Sequence, residues 1–277
     1  DAPHGRWAWL RSSNTVTAVL LATVAASSAA VALAGIGAAA GTYAYNGAFD
    51  GSRIYSVFQY PNTTASYLTA GYFCALALWC AAMQQVKSVN EQYRWEITAA
   101  WLGAAVLAML AAYFSFFTFV FTLSRGAWLV FPAVAGLFWL MVPKGWKLDS
   151  LLFTGVVAAA FLPGGLQFQA HVAAQDAVGV WRSLWIGVPL VLVGTLGLWG
   201  FRQLSSKVRA VAFVSAGVVA AAGAWMLAPR FLGEASAGVL LRRLSDINME
   251  TYSAWSRIQW TKDALKIVAD YPLFGVG

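Results

Sequence analysis

The sequence predicts an all-α protein, a polytopic membrane bundle with about seven transmembrane helices. Of its 277 residues, 60% are hydrophobic and 10% are charged, and the mean hydropathy is +0.65. This is more apolar surface than a water-soluble domain of this size buries. Apolar stretches recur at lengths near the roughly 20 residues that a helix needs to cross a bilayer. Basic residues also alternate in abundance between successive connections, which is typical of multi-pass membrane proteins.

Seven stretches are candidate spans: Thr15–Ala40, Thr64–Met83, Ile97–Leu123, Ala127–Val142, Leu148–Leu162, Leu184–Gly200 and Val211–Leu227. Gly37 in the first span and Gly41 directly after it have GxxxG spacing, which favours close packing inside the bundle or a helix dimer. From Ile97 to Val142 the only charged residue is Arg125. Two spans therefore fit this stretch, and Arg125 is expected at the turn between them, at one membrane face.

The connections predict the orientation of the bundle. One set holds nine basic residues: Arg6, Arg11, Lys87, Arg94, Lys144, Lys147, Arg202, Lys207 and Arg209. The opposite set holds Arg53, Arg125 and Arg182. Because basic residues concentrate in cytoplasmic connections, the amino terminus is expected in the cytoplasm and Arg125 on the outer side.

The last part of the chain is too polar to cross a membrane. Residues 229–277 carry six basic and five acidic side chains. We expect an extracytoplasmic loop with two helices, about Glu234–Leu244 and about Asn248–Asp270. The predicted domains are therefore a transmembrane bundle at residues 1–228 and this loop at residues 229–277.

Composition also argues against several kinds of partner. The net charge of +7 suggests nucleic acid, but no basic patch with interleaved aromatic residues accompanies it, so no nucleic-acid partner is expected. Cys74 and Cys80 lie six residues apart in one apolar span and point apart on a helix, which predicts structural thiols. Paired carboxylates and metal-ligand clusters are not evident, so neither a metal nor a cofactor is predicted.

Arginine recurs among the groups predicted on the outer side. Its planar guanidinium suits phosphate, so several arginines at one face suggest a phosphorylated or pyrophosphorylated lipid head group. For Arg125 the alternative is interfacial snorkelling. Asn62 either caps the helix after Pro61 or lines the site. His171 is expected in a loop, where a lone histidine is more often packed or solvated than a base.

Helical geometry singles out Arg257. At 100° per residue, Arg257 shares a mostly apolar face with Trp260 and Val268. The charged side chains of the same helix fall on the opposite face: Lys262, Asp263, Lys266 and Asp270. Arg257 is therefore either functional or paired with Glu250, which lies two turns earlier on nearly the same face of the helix.

Three motifs carry a resemblance to a known family: "FQYPNTTASYL", "TLSRGAWL" and "RIQWTKDALKIVADYPLFGVG". In order and topology the chain resembles the O-antigen ligase and O-antigen polymerase family of bacterial inner-membrane glycosyltransferases. The resemblance implies a GT-C-like helical enzyme that needs neither metal nor nucleotide sugar. It would move a glycan from an undecaprenyl-pyrophosphate carrier to a glycan, lipid or protein acceptor, at the outer face of the cytoplasmic membrane.

The family pattern also assigns residues. Arg125 matches the arginine of the "SRG" turn and Arg257 that of the "R-x-x-W" helix, which are thought to bind the pyrophosphate and stabilise it as a leaving group. Arg53, Asn62 and Trp260 are expected to line the same substrate site.

One feature departs from the family pattern. Members typically carry a histidine shortly after the "PLFGVG" turn, thought to activate the acceptor hydroxyl, but this sequence stops at Gly277. It is therefore expected to be a piece of a longer protein and inactive by itself. Two alternatives stay open: a transporter or flippase for lipid-linked glycans or anions, and a non-catalytic membrane scaffold.

Overall fold

The computed structural model describes residues 13–43, 45–88, 95–204 and 252–270. In these ranges the regular elements are helices: α1 Ser13–Ala39, α2 Pro61–Ser88, α3 Trp95–Phe121, α4 Arg125–Met141, α5 Lys147–Ala173, α6 Ala177–Trp185, α7 Val188–Gln203 and α8 Tyr252–Asp270. Short 3-10 turns lie at Ser56–Phe58 and Lys144–Trp146, and an isolated β-bridge joins Phe49 to Ile54. The prediction of an all-α protein is confirmed for the described residues.

Five helical stretches are long and apolar enough to cross a membrane: Thr15–Ala39, Pro61–Val86, Trp95–Phe121, Lys144–Ala173 and Ala177–Gln203. Helix α4 is also apolar but has 17 residues. The seventh predicted span, Val211–Leu227, the predicted domain boundary at residue 228 and the predicted helix Glu234–Leu244 lie outside the described residues.

The described residues belong to two compact units. The first contains α1 to α7, in which α3 packs against α1 and α2 and also against α5 and α7. The carboxyl-terminal half of α3 is mostly buried between these helices, and its apolar side chains there point in several directions. The second unit contributes α8, which overlaps the predicted helix Asn248–Asp270.

Aromatic rings fill the space between α3 and α5. The Phe121 and Phe168 rings stack with centroids 4.2 Å apart, and Phe117 meets Phe161 edge to face at 5.4 Å. All four side chains are buried. This cluster fixes the carboxyl-terminal half of α3, and with it the turn that follows Phe121.

Two predicted spans have different boundaries in the structure. The prediction ended the fifth span at Leu162, but α5 continues through Pro163 to Ala173. Gly164 lies so close to α6 that a β-carbon there would be 1.7 Å from the Ser183 carbonyl oxygen. The Pro-Gly-Gly sequence therefore allows close packing between helices and does not end α5.

The predicted span Leu184–Gly200 is a stretch that starts earlier, at Ala177, and consists of α6 and α7. The break lies at residues 186–187 because Pro189 has no backbone N–H and its ring would clash with the carbonyl group four residues earlier. The Tyr113 hydroxyl donates a hydrogen bond to the Leu184 carbonyl at 2.7 Å beside this break. Arg182, predicted in a connection, lies instead on α6.

Successive helices run up and down, so their connections gather at two ends. The arginine end, as we name it, holds residues 40–43, 45–60, 122–124 and 174–176. Cross-links join them: Gln169 Nε2 donates to the Ser52 carbonyl at 3.1 Å, and Trp181 Nε1 donates to Thr42 Oγ1 at 3.1 Å. The lysine end holds residues 142–146 and the carboxyl terminus of α7.

At the lysine end, Asp149 and Arg202 form an ion pair. The distance from Arg202 Nη1 to Asp149 Oδ2 is 3.1 Å, and both side chains are largely buried. The Arg202 guanidinium also lies 3.7 Å from the centroid of the Trp146 ring. The pair joins the start of α5 to the end of α7, and it places Lys144, Lys147 and Arg202 at one end, as the sequence predicts.

Candidate functional site

Asp50 organises the longest connection of the arginine end. Its Oδ1 accepts hydrogen bonds from the backbone N–H groups of Ser52 at 2.9 Å and Arg53 at 2.6 Å. Its Oδ2 accepts a hydrogen bond from the Tyr55 hydroxyl at 2.6 Å. Partial burial raises the pKa of the Asp50 carboxyl, but the hydrogen bonds from Tyr55, Ser52 and Arg53 outweigh burial and hold this pKa below its usual value.

This connection sets the position of Arg53. The Arg53 Nε donates a hydrogen bond to the Thr122 carbonyl at 3.1 Å, and the guanidinium lies 5.7 Å from the centroid of the Tyr55 ring. The next residue, Ile54, donates its backbone N–H to the Phe121 carbonyl at 3.0 Å. Arg53 is therefore held, half-buried, against the turn between α3 and α4.

Ser124 connects that turn to α2. It is the N-cap residue of α4, and its Oγ accepts a hydrogen bond from the Ala127 N–H at 3.4 Å. The same hydroxyl donates to Asn62 Oδ1 at 2.6 Å. Asn62 is the second residue of α2, and its Nδ2 donates to the Tyr60 hydroxyl at 3.1 Å. Of the two roles expected for Asn62, capping of the helix after Pro61 is not observed, because Asn62 lies inside α2 and its side chain bonds the α3–α4 turn.

Arg125 is the first residue of α4 and is half-buried. It directly follows Ser124, so the backbone that carries it is fixed through Ser124 to Asn62 and through Thr122 to Arg53. Arg53, Asn62, Ser124 and Arg125 together are called the turn site below. The structure brings together three of the five predicted site residues: Arg53, Asn62 and Arg125.

The other two predicted site residues lie on α8, in the second unit. Trp260 is 68% exposed, and Val268 on the same face is 60% exposed. On the charged face, Lys266 Nζ lies 3.3 Å from Asp263 Oδ1. Arg257 is part of α8, but its side chain and Glu250 lie outside the described residues. That Arg125 and Arg257 share one cavity stays a prediction.

His171 is not in a loop, contrary to the prediction; it lies in the last turn of α5. Its Nδ1 is 3.0 Å from Asp176 Oδ2, while Asp176 Oδ1 accepts the Gly179 N–H at 2.9 Å and caps α6. Hydrogen bonds from Gly179 and His171 and the charge of His171 hold the pKa of the Asp176 carboxyl below its usual value. The pair joins two helices at the arginine end.

Sequence reasoning missed Ser124 as part of the turn site, and it missed Asp50 and Tyr55 as residues that position Arg53. A signal for Asp50 was present in "FDGSRIY", because Asp-Gly is typical of a tight turn whose Asp accepts backbone N–H groups. A signal for Ser124 was also present, because a serine before an apolar helix is typical of an N-cap. The bond between Ser124 and Asn62 joins residues far apart in sequence, and no local pattern indicates it.

Both cysteines are free thiols and are partly buried. They pack against the apolar core of the bundle, as predicted for structural thiols.

Comparisons of the chain with protein-family models, curated proteins and solved structures gave no match. The three sequence motifs and the geometry of the turn site are therefore the features that bear on function.

Proposed function

We propose that this chain belongs to a transferase that moves a glycan from an undecaprenyl-pyrophosphate carrier to an acceptor on the outer face of the bacterial cytoplasmic membrane. The observation that carries the proposal is the position of Arg125. It begins a helix at one end of a bundle of long apolar helices, beside a second anchored arginine. We also propose that the transferase has a GT-C-like architecture with seven transmembrane spans.

The chemistry of the turn site suits a pyrophosphate. The amino terminus of α4 carries the positive end of the helix dipole, which favours an anion. Arg125 adds a permanent charge at that terminus. Guanidinium groups bind phosphate oxygens through paired hydrogen bonds, and a partly dehydrated interface strengthens them. A pyrophosphate joined to a lipid would meet this site from the membrane side.

In the proposed reaction an acceptor hydroxyl oxygen attacks the anomeric carbon of the donor glycan. A carbon–oxygen bond to the acceptor forms as the bond to the pyrophosphate breaks, and the acceptor proton passes to a general base. The electron pair of the broken bond stays on undecaprenyl pyrophosphate. Arg125 and Arg257 would stabilise this negative charge, which is greater in the transition state than in the bound donor.

The distribution of charge supports the orientation that the reaction requires. Lys144, Lys147 and Arg202 belong to the set of connections with nine basic residues and lie at the lysine end, whereas Arg53 and Arg125 belong to the set with three and lie at the arginine end. Basic residues beside spans favour the cytoplasmic side. The lysine end is therefore proposed to face the cytoplasm, and the turn site the outer side.

The first test is donor binding by the full-length protein in nanodiscs. We expect undecaprenyl pyrophosphate to bind more tightly than undecaprenyl monophosphate, and Arg125→Ala to remove most of this difference. Arg125→Lys should weaken binding less, because a lysine keeps the charge but not the bidentate geometry. Arg182→Ala is the matched control, since Arg182 lies exposed at the same end. Equal losses for Arg125→Ala and Arg182→Ala would contradict the role of the turn site.

The second test is transfer of a labelled glycan in proteoliposomes that contain an acceptor extract from cell envelopes. Loss of one donor to a developing oxyanion costs about 10²–10³-fold in rate, so Arg125→Ala and Arg257→Ala should each slow transfer to that extent. Label that crosses the bilayer without transfer would instead favour the transporter. Unchanged glycan assembly in both variants would favour the scaffold.

A further inference from the structure

A groove opens on the side of the bundle, away from the turn site. Its volume is about 420 Å³, within the range of roughly 300–1,000 Å³ that is usual for ligand pockets. Its wall includes Phe73 and Leu76 of α2, Gly136 and Trp139 of α4, and Leu151 and Thr154 of α5. The lining is therefore almost wholly apolar and belongs to three membrane-spanning or apolar helices.

The groove exists because α4 stands away from α5. Among the described residues, no α4 side chain is buried. Gly136 is exposed, and a β-carbon there would meet no described atom within 4 Å. Leu151, on the opposite wall, is 50% exposed. In a membrane such an opening faces hydrocarbon, so the molecules that reach it first are lipid chains.

The mouth of the groove is basic and lies at the lysine end. Trp139 Nε1 donates a hydrogen bond to the Lys147 carbonyl at 3.2 Å, and Lys147 Nζ lies 4.5 Å from the centroid of the Trp139 ring. Lys144 is exposed in the same connection. The nearby carboxylate of Asp149 is neutralised by its ion pair with Arg202. Two positive charges therefore lie where the apolar groove reaches the membrane surface.

We propose that the groove binds one anionic phospholipid, with an acyl chain between α4 and α5 and its phosphate at Lys144 and Lys147. Apolar lining and charge complementarity select this occupant over a neutral lipid. The site is at the opposite end of the bundle from the turn site, so the proposal is independent of the proposed transferase activity. The lipid would fill the gap beside α4, whose first residue is Arg125.

The test is lipid retention by the full-length protein in nanodiscs of equal parts phosphatidylglycerol and phosphatidylcholine, measured by native mass spectrometry after detergent extraction. We expect the wild type to retain one phosphatidylglycerol. Lys147→Ala should lower its preference for phosphatidylglycerol over phosphatidylcholine about fivefold, which corresponds to about 1 kcal/mol for one basic residue near the surface. Lys144→Ala should act in the same direction, and added salt should reduce the preference of the wild type.

Two variants test the groove itself. Gly136→Leu fills the groove from α4, and Leu151→Trp fills it from α5. Each should abolish lipid retention, and the test remains possible if one of the two variants fails to fold. Gly155→Leu is the matched control: Gly155 is next to Thr154, but a β-carbon there meets no described atom within 4 Å, and it does not line the groove. Retention of phosphatidylglycerol by either folded groove variant would overturn the proposal. So would equal retention of both lipids by the wild type, or no retained lipid, which would indicate that another part of the protein occupies the groove.

Discussion

The hydrogen bond between Ser124 and Asn62 is the connection on which the position of Arg125 depends most directly. Ser124 is 2% exposed and makes two hydrogen bonds, one to Asn62 Oδ1 at 2.6 Å and one from the Ala127 N–H at 3.4 Å. No α4 side chain is buried among the described residues, although Ala127, Trp128 and Phe131 pack partly against the core, so the hydrogen bonds of Ser124 are the most direct restraint on the first residue of the helix. We therefore expect the removal of this serine to release the first turn of α4.

The magnitude follows from the two contacts. An N-cap serine contributes about 0.5–2 kcal/mol, and the long distance to Ala127 places this one near the lower limit. A net side-chain hydrogen bond contributes about 1 kcal/mol. Ser124→Ala should therefore lower the free energy of unfolding by about 1.5 kcal/mol. Asn62→Ala leaves the cap in place and should lower it by about 1 kcal/mol.

A double-mutant cycle isolates the shared bond. Unfolding of the wild type, both single variants and the double variant would be followed by circular dichroism in mixed micelles, with hydrogen exchange at residues 125–127 as a local measurement. We expect a coupling of about 1 kcal/mol and faster exchange in both single variants. Thr63→Ala is the control, because Thr63 is the exposed neighbour of Asn62. Additive effects, within about 0.3 kcal/mol, would refute the reasoning.

Two further predictions concern the arginine end. Because the folded-state pKa of Asp50 lies below its ordinary value of 3.8, its hydrogen bonds stabilise the fold above that pH, and the contribution is lost as pH falls through the folded value. The melting temperature should therefore fall less between pH 7 and pH 3 in Asp50→Asn than in the wild type. The difference corresponds to less than about 1 kcal/mol in the free energy of unfolding, because Asp50 is mostly exposed. Equal slopes in the two proteins would contradict this. A β-carbon at Gly179 would lie 2.2 Å from both His171 Nδ1 and Asp176 Oδ2. Gly179→Ala should thus lower the free energy of unfolding by about 1–3 kcal/mol, whereas Gly197→Ala, where a β-carbon meets no described atom within 4 Å, should be tolerated.

The long helices could be predicted because hydropathy is a property of the local sequence. The stretch from Ile97 to Val142 predicted two helices with Arg125 between them, and the structure has α3, a short turn and α4. Arg125 interrupts an apolar sequence because it begins a helix at the surface of the bundle. A single charge in such a stretch is enough to place a turn.

The helix ends were less predictable because tertiary packing decides them. "LPGG" at residues 162–165 contains two residue types that usually end helices, yet α5 continues because Gly164 and Gly165 let α6 and the Phe161 ring approach closely. In the first span, Gly41 proved to be a positive-φ residue just after α1, with φ +69°, so its GxxxG spacing from Gly37 reflects helix termination as much as packing.

The turn site could be predicted only as a set of residue types on one side of a membrane. Sequence reasoning placed Arg53, Asn62 and Arg125 on the same side, and the structure anchors all three around one turn. The anchors themselves are backbone carbonyls and a serine hydroxyl. Which side chain reaches each anchor depends on how three connections fold over one another. No single stretch of sequence determines that arrangement.

The buried ion pair at the lysine end has a consequence for biosynthesis. Asp149 enters the membrane with α5, whereas Arg202 is made only when α7 is complete. Until then the nascent chain carries a carboxylate without this cation, which favours keeping the start of α5 near water. We therefore expect α5 to reach its final position only after α7 has been made.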